Sequence, residues 1–431
     1  MTTQPFTVAD YLLTRLKQLN VTEVFQIPGD YVKHFTQALE HFDGVKAIGA
    51  INELDAAYAA DAYGRTRGLG AVSLQYGVST FSALNAIAGA YVERSPVVVI
   101  SATPGADARQ ITGMYDVLFH HSTGNLQADQ DVYEHVTVAA ETLTTSVGAP
   151  EMIDLLTAAI TWKQPVYIAC YKEVWGEPCP KPSAKVLRPL SQTSEPLALE
   201  NAVAQAWAQI TAAKHPMIFA GVEVLRHGLS DLLAELIAAS GFLYTTTTLG
   251  KTVLDEKGDK FIGTYSDAAS IQSVRERVQE ADCFLTLGTI ITDDYLWFIE
   301  NKYADMVLAT TEQIRAGYFI YEGVTMKDFM EALLARFKKD QGLSAQDGGA
   351  AAAGLSGAVG LQFGPALERQ AGNHHLQPLL PAFAEVLARP PHAGSDRHDL
   401  WRQFVAVCGH QCLRSFAKQL HRVGGVAVHR L

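Results

Sequence analysis

The sequence predicts an α/β chain: two parallel-sheet domains in succession, then a tail of a different kind. Three observations lead there. Short apolar runs alternate with helix-length segments along most of the chain. A proline-rich stretch divides that alternation into two series, and the composition changes abruptly after Leu343. Strands spaced by helices imply right-handed crossovers and hence parallel pairing.

In the first series, Thr7 is placed to cap a helix, with Asp10 three positions on and apolar residues at Val8, Leu12, Leu16 and Leu19. Val24 to Ile27 is a strand-length run ended by Pro28-Gly29, and Val45 to Ala50 is a second. A helix rich in alanine follows it, in INELDAAYAADAYGR (Ile51 to Arg65). Ala71 to Tyr76 is a third run, broken at Gly77 and followed by a helix through Phe81 and Tyr91. Pro96 to Ile100 is a run of branched residues after the proline, as in a strand buried on both faces. Residues 175–195 hold four prolines and read as a linker. The second series has strand candidates at Pro216 to Ala220, Phe242 to Thr246, Cys283 to Leu287 and Met306 to Leu308. Helix patterns lie near 229–239, 267–280 and 326–338. The domains are therefore drawn at 1–180 and 196–342, with a linker at 181–195 and a tail at 343–431.

Bulk properties narrow the function. The 431 residues are 48% hydrophobic and 18% charged, values of a globular protein. The net charge of -11 argues against a nucleic-acid partner. No apolar run reaches the roughly 18 residues that span a bilayer. The segment MTTQPFTVADYLL lacks the basic-then-apolar pattern of a secretory signal. Cys170, Cys179, Cys283, Cys408 and Cys412 are too few and scattered for a disulfide framework. A reducing cytoplasm is the expected compartment.

Chemistry concentrates in three places. Glu53 lies just after an apolar strand and opens a helix, where a carboxylate is fixed at a ligand crevice. Such a glutamate is also favoured simply by the helix dipole. Asp30 follows Pro28-Gly29, either capping a helix or presenting a proton-transfer carboxylate. His120 and His121, in LFHHSTGN, could not face the same way on a regular element, but in a loop both can approach one site. No third ligand sits at metal-type spacing from the pair, so no metal is expected there. Cys408, His410 and Cys412 in CGHQC lack the usual two-residue spacing and a second ligand pair, so zinc is not expected in the tail either.

Together, IPGD, INELDAAYAADAYGR, YGVSTFSALN and the His-His pair resemble the N-terminal domain of thiamine-diphosphate-dependent 2-oxo acid decarboxylases, the pyruvate, indolepyruvate and phenylpyruvate decarboxylase group. The segments TTTLGKTVLDE and ADCFLTLGTIITDDYLWF resemble that family's middle domain. The resemblance covers about residues 1–340. It implies a pyrimidine-binding α/β domain followed by an α/β middle domain. It also implies non-oxidative conversion of a 2-oxo acid to an aldehyde and carbon dioxide, with thiamine diphosphate as electron sink. Glu53 would bond a ring nitrogen of the cofactor's aminopyrimidine from a low-dielectric site, where burial raises a carboxyl pKa. Pro28, Gly77, Val78 and Asn85 would line the pyrimidine pocket. Asp30, His120 and His121 would handle protons on the reacting carbon and the departing aldehyde. A homodimer or homotetramer is implied, because the family's site forms between subunits.

The family's diphosphate is held through Mg²⁺ by a third domain marked by GDG and paired asparagines. Neither appears here; Asp347-Gly348-Gly349 is only a superficial likeness. The chain therefore reads as truncated, with the metal and diphosphate ligands not present in it, and inactivity of the isolated chain is expected. After Leu343 there is no Ile, Tyr, Met or Thr and a single Lys. That tail has eight Lys/Arg against five Asp/Glu, whereas the rest has 26 against 40. DGGAAAAGLSGAVG is of low complexity, and 377–389 and 399–422 have helical spacing. A frameshifted reading, an unrelated fusion and a divergent tail all fit. Two other functions stay open. One is a non-catalytic dimerising subunit or disrupted-gene product. The other is an acetolactate-synthase-like carboligase, which the His-His pair disfavours.

Overall fold

A computed structural model describes residues 5–182, 193–311 and 313–347. The predicted tail helices and the Cys408, His410 and Cys412 group lie outside the described residues, as does most of the predicted linker. Two sheets lie in one compact unit.

The first sheet contains β1 (Glu23–Gln26), β2 (Lys46–Gly49), β3 (Gly70–Ser73), β4 (Val97–Thr103), β5 (Ala139–Leu143) and β6 (Val166–Tyr171), in the order β2-β1-β3-β4-β6-β5. Every ladder in it is parallel, with Phe25 opposite both Ile48 and Val72. The expected all-buried strand is β4, whose seven residues are all buried. Its alternate side chains feed two cores. Val98, Ile100 and Ala102 pack with residues of α1 (Val8–Gln18), α2 (Lys33–His41) and α7 (Ala149–Ala158). Val97 and Val99 pack with Ala56, Ala57 and Ala60 of α3 (Glu53–Arg67) and Ala83, Ala86 and Ala90 of α4 (Val78–Val92). These small residues let the two helices lie close together; at Gly64 an added Cβ would come within 2.6 Å of the Pro96 carbonyl. Helix α1 is capped as expected, Thr7 and Asp10 bonding each other's backbone amides. Two short helices, α5 (Ala106–Tyr115) and α6 (Ala128–Tyr133), flank the loop that carries the histidines.

The second sheet is mixed. It contains β7 (Pro216–Ala220), β8 (Leu243–Thr246), β9 (Phe261–Thr264), β10 (Cys283–Leu287), β11 (Met306–Ala309), β12 (Ile314–Ala316) and β13 (Phe319–Tyr321), in the order β13-β12-β11-β10-β7-β8-β9. Only β12 and β13 run antiparallel to their neighbours. Around it lie α8 (Pro196–Ala212), α9 (Val222–Arg226), α10 (Ser230–Ser240), α11 (Gln272–Glu280), α12 (Leu296–Lys302) and α13 (Met326–Asp347).

All eight strand runs picked from the sequence are strands. Five strands, β5, β6, β9, β12 and β13, come in addition. The proline-rich stretch starts to diverge from the first domain later than its composition suggests. Trp175 is fully buried and donates its indole N–H to the Ser101 carbonyl at 3.0 Å. Burying that large ring outweighs the turn-forming tendency of the flanking residues. Helix α13 outlasts the predicted 326–338 and runs on to Asp347. No described helix is long and apolar enough to cross a membrane.

Candidate active site

Parallel strands present their carboxyl ends on one edge, and a crevice opens where consecutive connections depart in opposite directions. From β1 the chain turns to β2 on one side and then returns to β3 on the other, so the crevice lies between β1 and β3. The loop after β1 carries Pro28, Gly29 and Asp30; the turn after β3 carries Gln75, Tyr76 and Gly77; Glu53 follows the adjacent β2. Each predicted site residue on these turns therefore lies at one edge of the sheet.

Asp30 does not cap α2, whose N-cap is Val32. Its carboxylate instead meets His120 Nε2 at 3.0 Å, across 90 residues of sequence. His121 joins them: one ligand-type atom from each of Asp30, His120 and His121 lies within 4.8 Å of the others. The sequence reading found no third ligand at metal-type spacing from the histidines; the fold supplies Asp30 from the opposite turn. The two imidazoles are 4.9 Å apart, centroid to centroid, and tilted by 64°. Neighbouring residues face one way here because His121 has φ +67, a left-handed backbone. Such conformations cost of order 1–3 kcal/mol and persist where surroundings fix them.

Those surroundings are visible. Tyr76 donates its hydroxyl to the His120 carbonyl, and the Val78 amide donates to the His121 carbonyl at 3.3 Å. Burial first, then the neighbouring Tyr31, pushes the Tyr76 phenol pKa up, so it stays a donor. Tyr31 in turn packs against His120 with ring centroids 5.2 Å apart. Gly77 has φ +71, and an added Cβ would lie 1.8 Å from the His121 carbonyl oxygen. At Gly29 an added Cβ would strike the Gln75 side-chain oxygen at 1.8 Å. Gln75 Oε1 itself accepts from the Tyr31 amide at 3.3 Å.

Sequence reasoning missed Asp129. This buried carboxylate accepts from the Gly77 amide at 2.8 Å and from Thr80 Oγ1 at 2.7 Å, fixing the turn that opens α4. Burial pushes its pKa up, while those two donors, and Tyr167, pull it back. Nothing in ADQDVY marks it, because its partners are 49 and 52 residues away.

Glu53 is the first residue of α3, after the cap in which Asn52 Oδ1 accepts from the Asp55 amide at 2.9 Å. Its side chain makes no hydrogen bond or ion pair among the described residues. The expected low-dielectric site is not formed by this chain alone: Glu53 is half-buried rather than buried, because no described element closes over the start of α3. Val78 is 56% exposed at the first turn of α4, Pro28 is exposed, and Asn85 reaches Tyr58 of α3 with an Nδ2 to Oη distance of 3.2 Å.

Comparison with known proteins matches two family models. Residues 6–131 match the thiamine pyrophosphate enzyme N-terminal TPP binding domain, and residues 203–312 match the thiamine pyrophosphate enzyme central domain. Among curated proteins, the alpha-keto-acid decarboxylase of Mycobacterium leprae is 33% identical over 332 residues, covering 76% of this chain and 57% of that protein. Those of Mycobacterium avium and Mycobacterium tuberculosis are each 36% identical, covering 70% and 69% of this chain and 53% and 52% of theirs. The chain spans about half the length of the curated relatives it matches.

Proposed function

Because this chain belongs to the thiamine-diphosphate-dependent 2-oxo acid decarboxylase family, we propose that it serves the non-oxidative decarboxylation of a 2-oxo acid to an aldehyde and carbon dioxide. The observation that carries the proposal is the convergence of Asp30 and His120, 3.0 Å apart, at the β1–β3 crevice beside which Glu53 opens α3.

The residues present fit the pyrimidine end of thiamine diphosphate. Glu53 has an uncommitted carboxyl group, and Pro28 and Val78 leave apolar surface exposed at neighbouring strand ends. When bound, the cofactor supplies a nucleophilic carbon and an electron sink. Glu53 would hold a proton between its carboxyl oxygen and the aminopyrimidine, and Asn85 would sit farther along α4. Gly77 lets the backbone approach closely. Asp30 Oδ2 and His120 Nε2 already share one hydrogen bond, so a proton can pass between them and a substrate oxygen or carbon in the crevice. His121 adds a second imidazole to that relay.

Magnesium does not fit these residues. Among the described residues the single cluster of three metal-type ligands holds two imidazoles, whereas Mg²⁺ takes oxygen donors. Mg²⁺ and the diphosphate would be held by a segment supplied by another subunit. A second copy or a homologous subunit would also cover Glu53. Exposed apolar side chains at Ile51, Tyr58, Val78 and Val92 on α3, α4 and their approaches support such an interface. A homodimer or homotetramer of this chain would cover Glu53, while the Mg²⁺ and diphosphate ligands would have to come from a longer homologous subunit in the assembly.

The test is complementation. A full-length relative, with the glutamate aligned to Glu53 changed to glutamine, is co-expressed with this chain, and aldehyde formation from 2-oxo acids is measured with thiamine diphosphate and Mg²⁺ added. Aldehyde should appear with the native chain and not with Glu53→Gln. Equal rates with both, or no aldehyde with either, would sink the proposal; the second result would favour a non-catalytic dimerising subunit.

A further inference from the structure

We propose that Asp30, His120 and His121 form a binding site for a divalent transition metal of the zinc class, and that its occupancy blocks the proton relay. The metal-binding half stands on geometry alone; the inhibitory half rests on the decarboxylase reading above.

Three features support the site. The ligand set is two imidazoles and one carboxylate, which suits Zn²⁺, Co²⁺, Ni²⁺ or Cu²⁺ and disfavours Mg²⁺ and Ca²⁺. Its ligand atoms lie within 4.8 Å of one another, and His120 Nε2 and Asp30 Oδ2 are already at 3.0 Å. Bonds of about 2.0–2.2 Å place tetrahedral ligands roughly 3.4 Å apart. Closing the set therefore takes side-chain rotation of little more than an ångström. The side chains have that freedom, since those of His120 and Asp30 are 59% and 61% exposed. The third feature is that the backbone beneath them is fixed. The left-handed His121, the Tyr76 hydroxyl on the His120 carbonyl and the Val78 amide on the His121 carbonyl hold both histidines over Asp30 before any ion arrives. Water would complete the coordination.

Binding requires neutral imidazole and ionised carboxylate. A bound ion therefore takes the lone pairs through which Asp30 and His120 accept protons, and the relay stops without any change of fold. Mg²⁺, needed elsewhere in the reaction, would not compete for imidazole nitrogen.

The experiment titrates Zn²⁺ into the purified full chain by calorimetry, with no thiamine diphosphate or substrate present. Co²⁺ is then used as a visible-spectrum probe of the ligand geometry. Cys408→Ser, His410→Ala and Cys412→Ser are combined in the parent, together with His374→Ala, His375→Ala, His392→Ala, His398→Ala, His421→Ala and His429→Ala, to remove the tail's own sulfur and imidazole donors. One equivalent should bind to that parent. Asp30→Ala, His120→Ala and His121→Ala should each weaken it by about tenfold or more and abolish the cobalt d–d bands. Zinc affinity unchanged in any two of the three variants would overturn the site, as would bands that persist in them. The exposed positions can be truncated without creating a cavity, and near-ultraviolet circular dichroism verifies the fold of each variant. Because no cofactor is added, these results stand whether or not decarboxylation is confirmed. In the complemented assembly, zinc should suppress aldehyde formation; undiminished activity at saturating zinc would overturn the inhibitory half alone.

Discussion

The carboxyl edges of the two sheets face the same topological situation and resolve it in opposite ways. In the second sheet the chain runs from β7 to β8 and β9 on one side, then returns to β10 and β11 on the other, so a crevice is due between β7 and β10. It is filled by the protein itself. The Gly221 amide donates to the Leu287 carbonyl at 2.8 Å and the Glu223 amide to the Gly288 carbonyl at 3.0 Å. A Cβ on Gly221 would lie 2.2 Å from the Gly288 carbonyl oxygen. The Glu223 carboxylate, 1% exposed, is held by Arg94 Nε at 3.2 Å and by the Thr311 amide at 2.9 Å. At the β1–β3 edge, by contrast, Asp30, His120 and Glu53 keep polar atoms in reach of a ligand. One architecture thus gives a structural joint in one place and a candidate active site in the other. The difference lies in which polar groups are already committed to partners.

That contrast is broken most severely by exchanging the kinds of damage. Glu53→Gln should cut decarboxylation in the complemented assembly by about 100-fold or more, the range for a positioned proton-transfer group. Its unfolding free energy from urea titration should stay within about 0.5 kcal/mol of the parent, because the side chain is uncommitted. Arg94→Met should do the reverse. It strips an ionic partner from a buried carboxylate and should cost about 3 kcal/mol of stability. Zinc binding at the first edge should survive it under conditions where the variant is folded. A stability loss in Glu53→Gln comparable to that of Arg94→Met would abolish the distinction.

A matched pair of glycine substitutions sharpens it. Gly77→Ala puts a side chain at φ +71 and against the His121 carbonyl, and should cost about 2 kcal/mol. It should also displace both histidines and so weaken zinc binding. Gly221→Ala meets backbone at 2.2 Å, at φ -117, and should lower stability by a similar amount while leaving zinc binding unchanged. Thermal melts and calorimetric titrations of the two variants check this; loss of zinc affinity in Gly221→Ala would contradict the separation of the two edges.

Much of this was legible in the sequence. Runs of branched residues such as PVVVI report burial on both faces directly, and Thr7 with Asp10 carries its own cap. The β6 segment VYIACY is as apolar as the runs that were recognised, so it could have been read; β12 and β13, three residues each, offer no period to detect. At the site, Asp30, Glu53 and Gly77 could be placed because each ends or follows a strand. Asp129, Glu223 and Arg94 could not. Their roles come from partners distant in sequence, and a lone acidic residue on a short helix, or a lone basic one in the turn after α4, reads as a solvated face. Asp30 is tied to the histidines only through the family resemblance; its place as the third metal-type ligand is not legible from spacing, because it lies 90 residues from His120.

The smallest expected effect is a difference in acid response. Burial first, then Lys163 and Arg94, lowers the His227 pKa from 6.5 to about 4. Its ring Nε2 lies 3.0 Å from Thr311 Oγ1, beside the Glu223 joint. A histidine depressed in the folded state contributes stability that is complete above pH 6.5 and is lost as pH falls from there toward about 4. Asp129 has the opposite sign. Its pKa is raised above 3.8 on folding, so its contribution is complete below 3.8 and is lost as pH rises through the folded value. Mild acid should therefore loosen the β7–β10 joint while tightening the turn at Gly77. Since the His227 ring keeps some contact with water, about 1 kcal/mol is expected across that window. Hydrogen exchange measured from pH 7 to pH 4, corrected for intrinsic rates, should show falling protection at Thr311 and rising protection at Gly77. His227→Asn should flatten the first trend and Asp129→Asn the second. Parallel trends at the two amides in the parent protein would mean that both edges answer to one global unfolding step, and that the local pairing around His227 and Asp129 does not set their acid response.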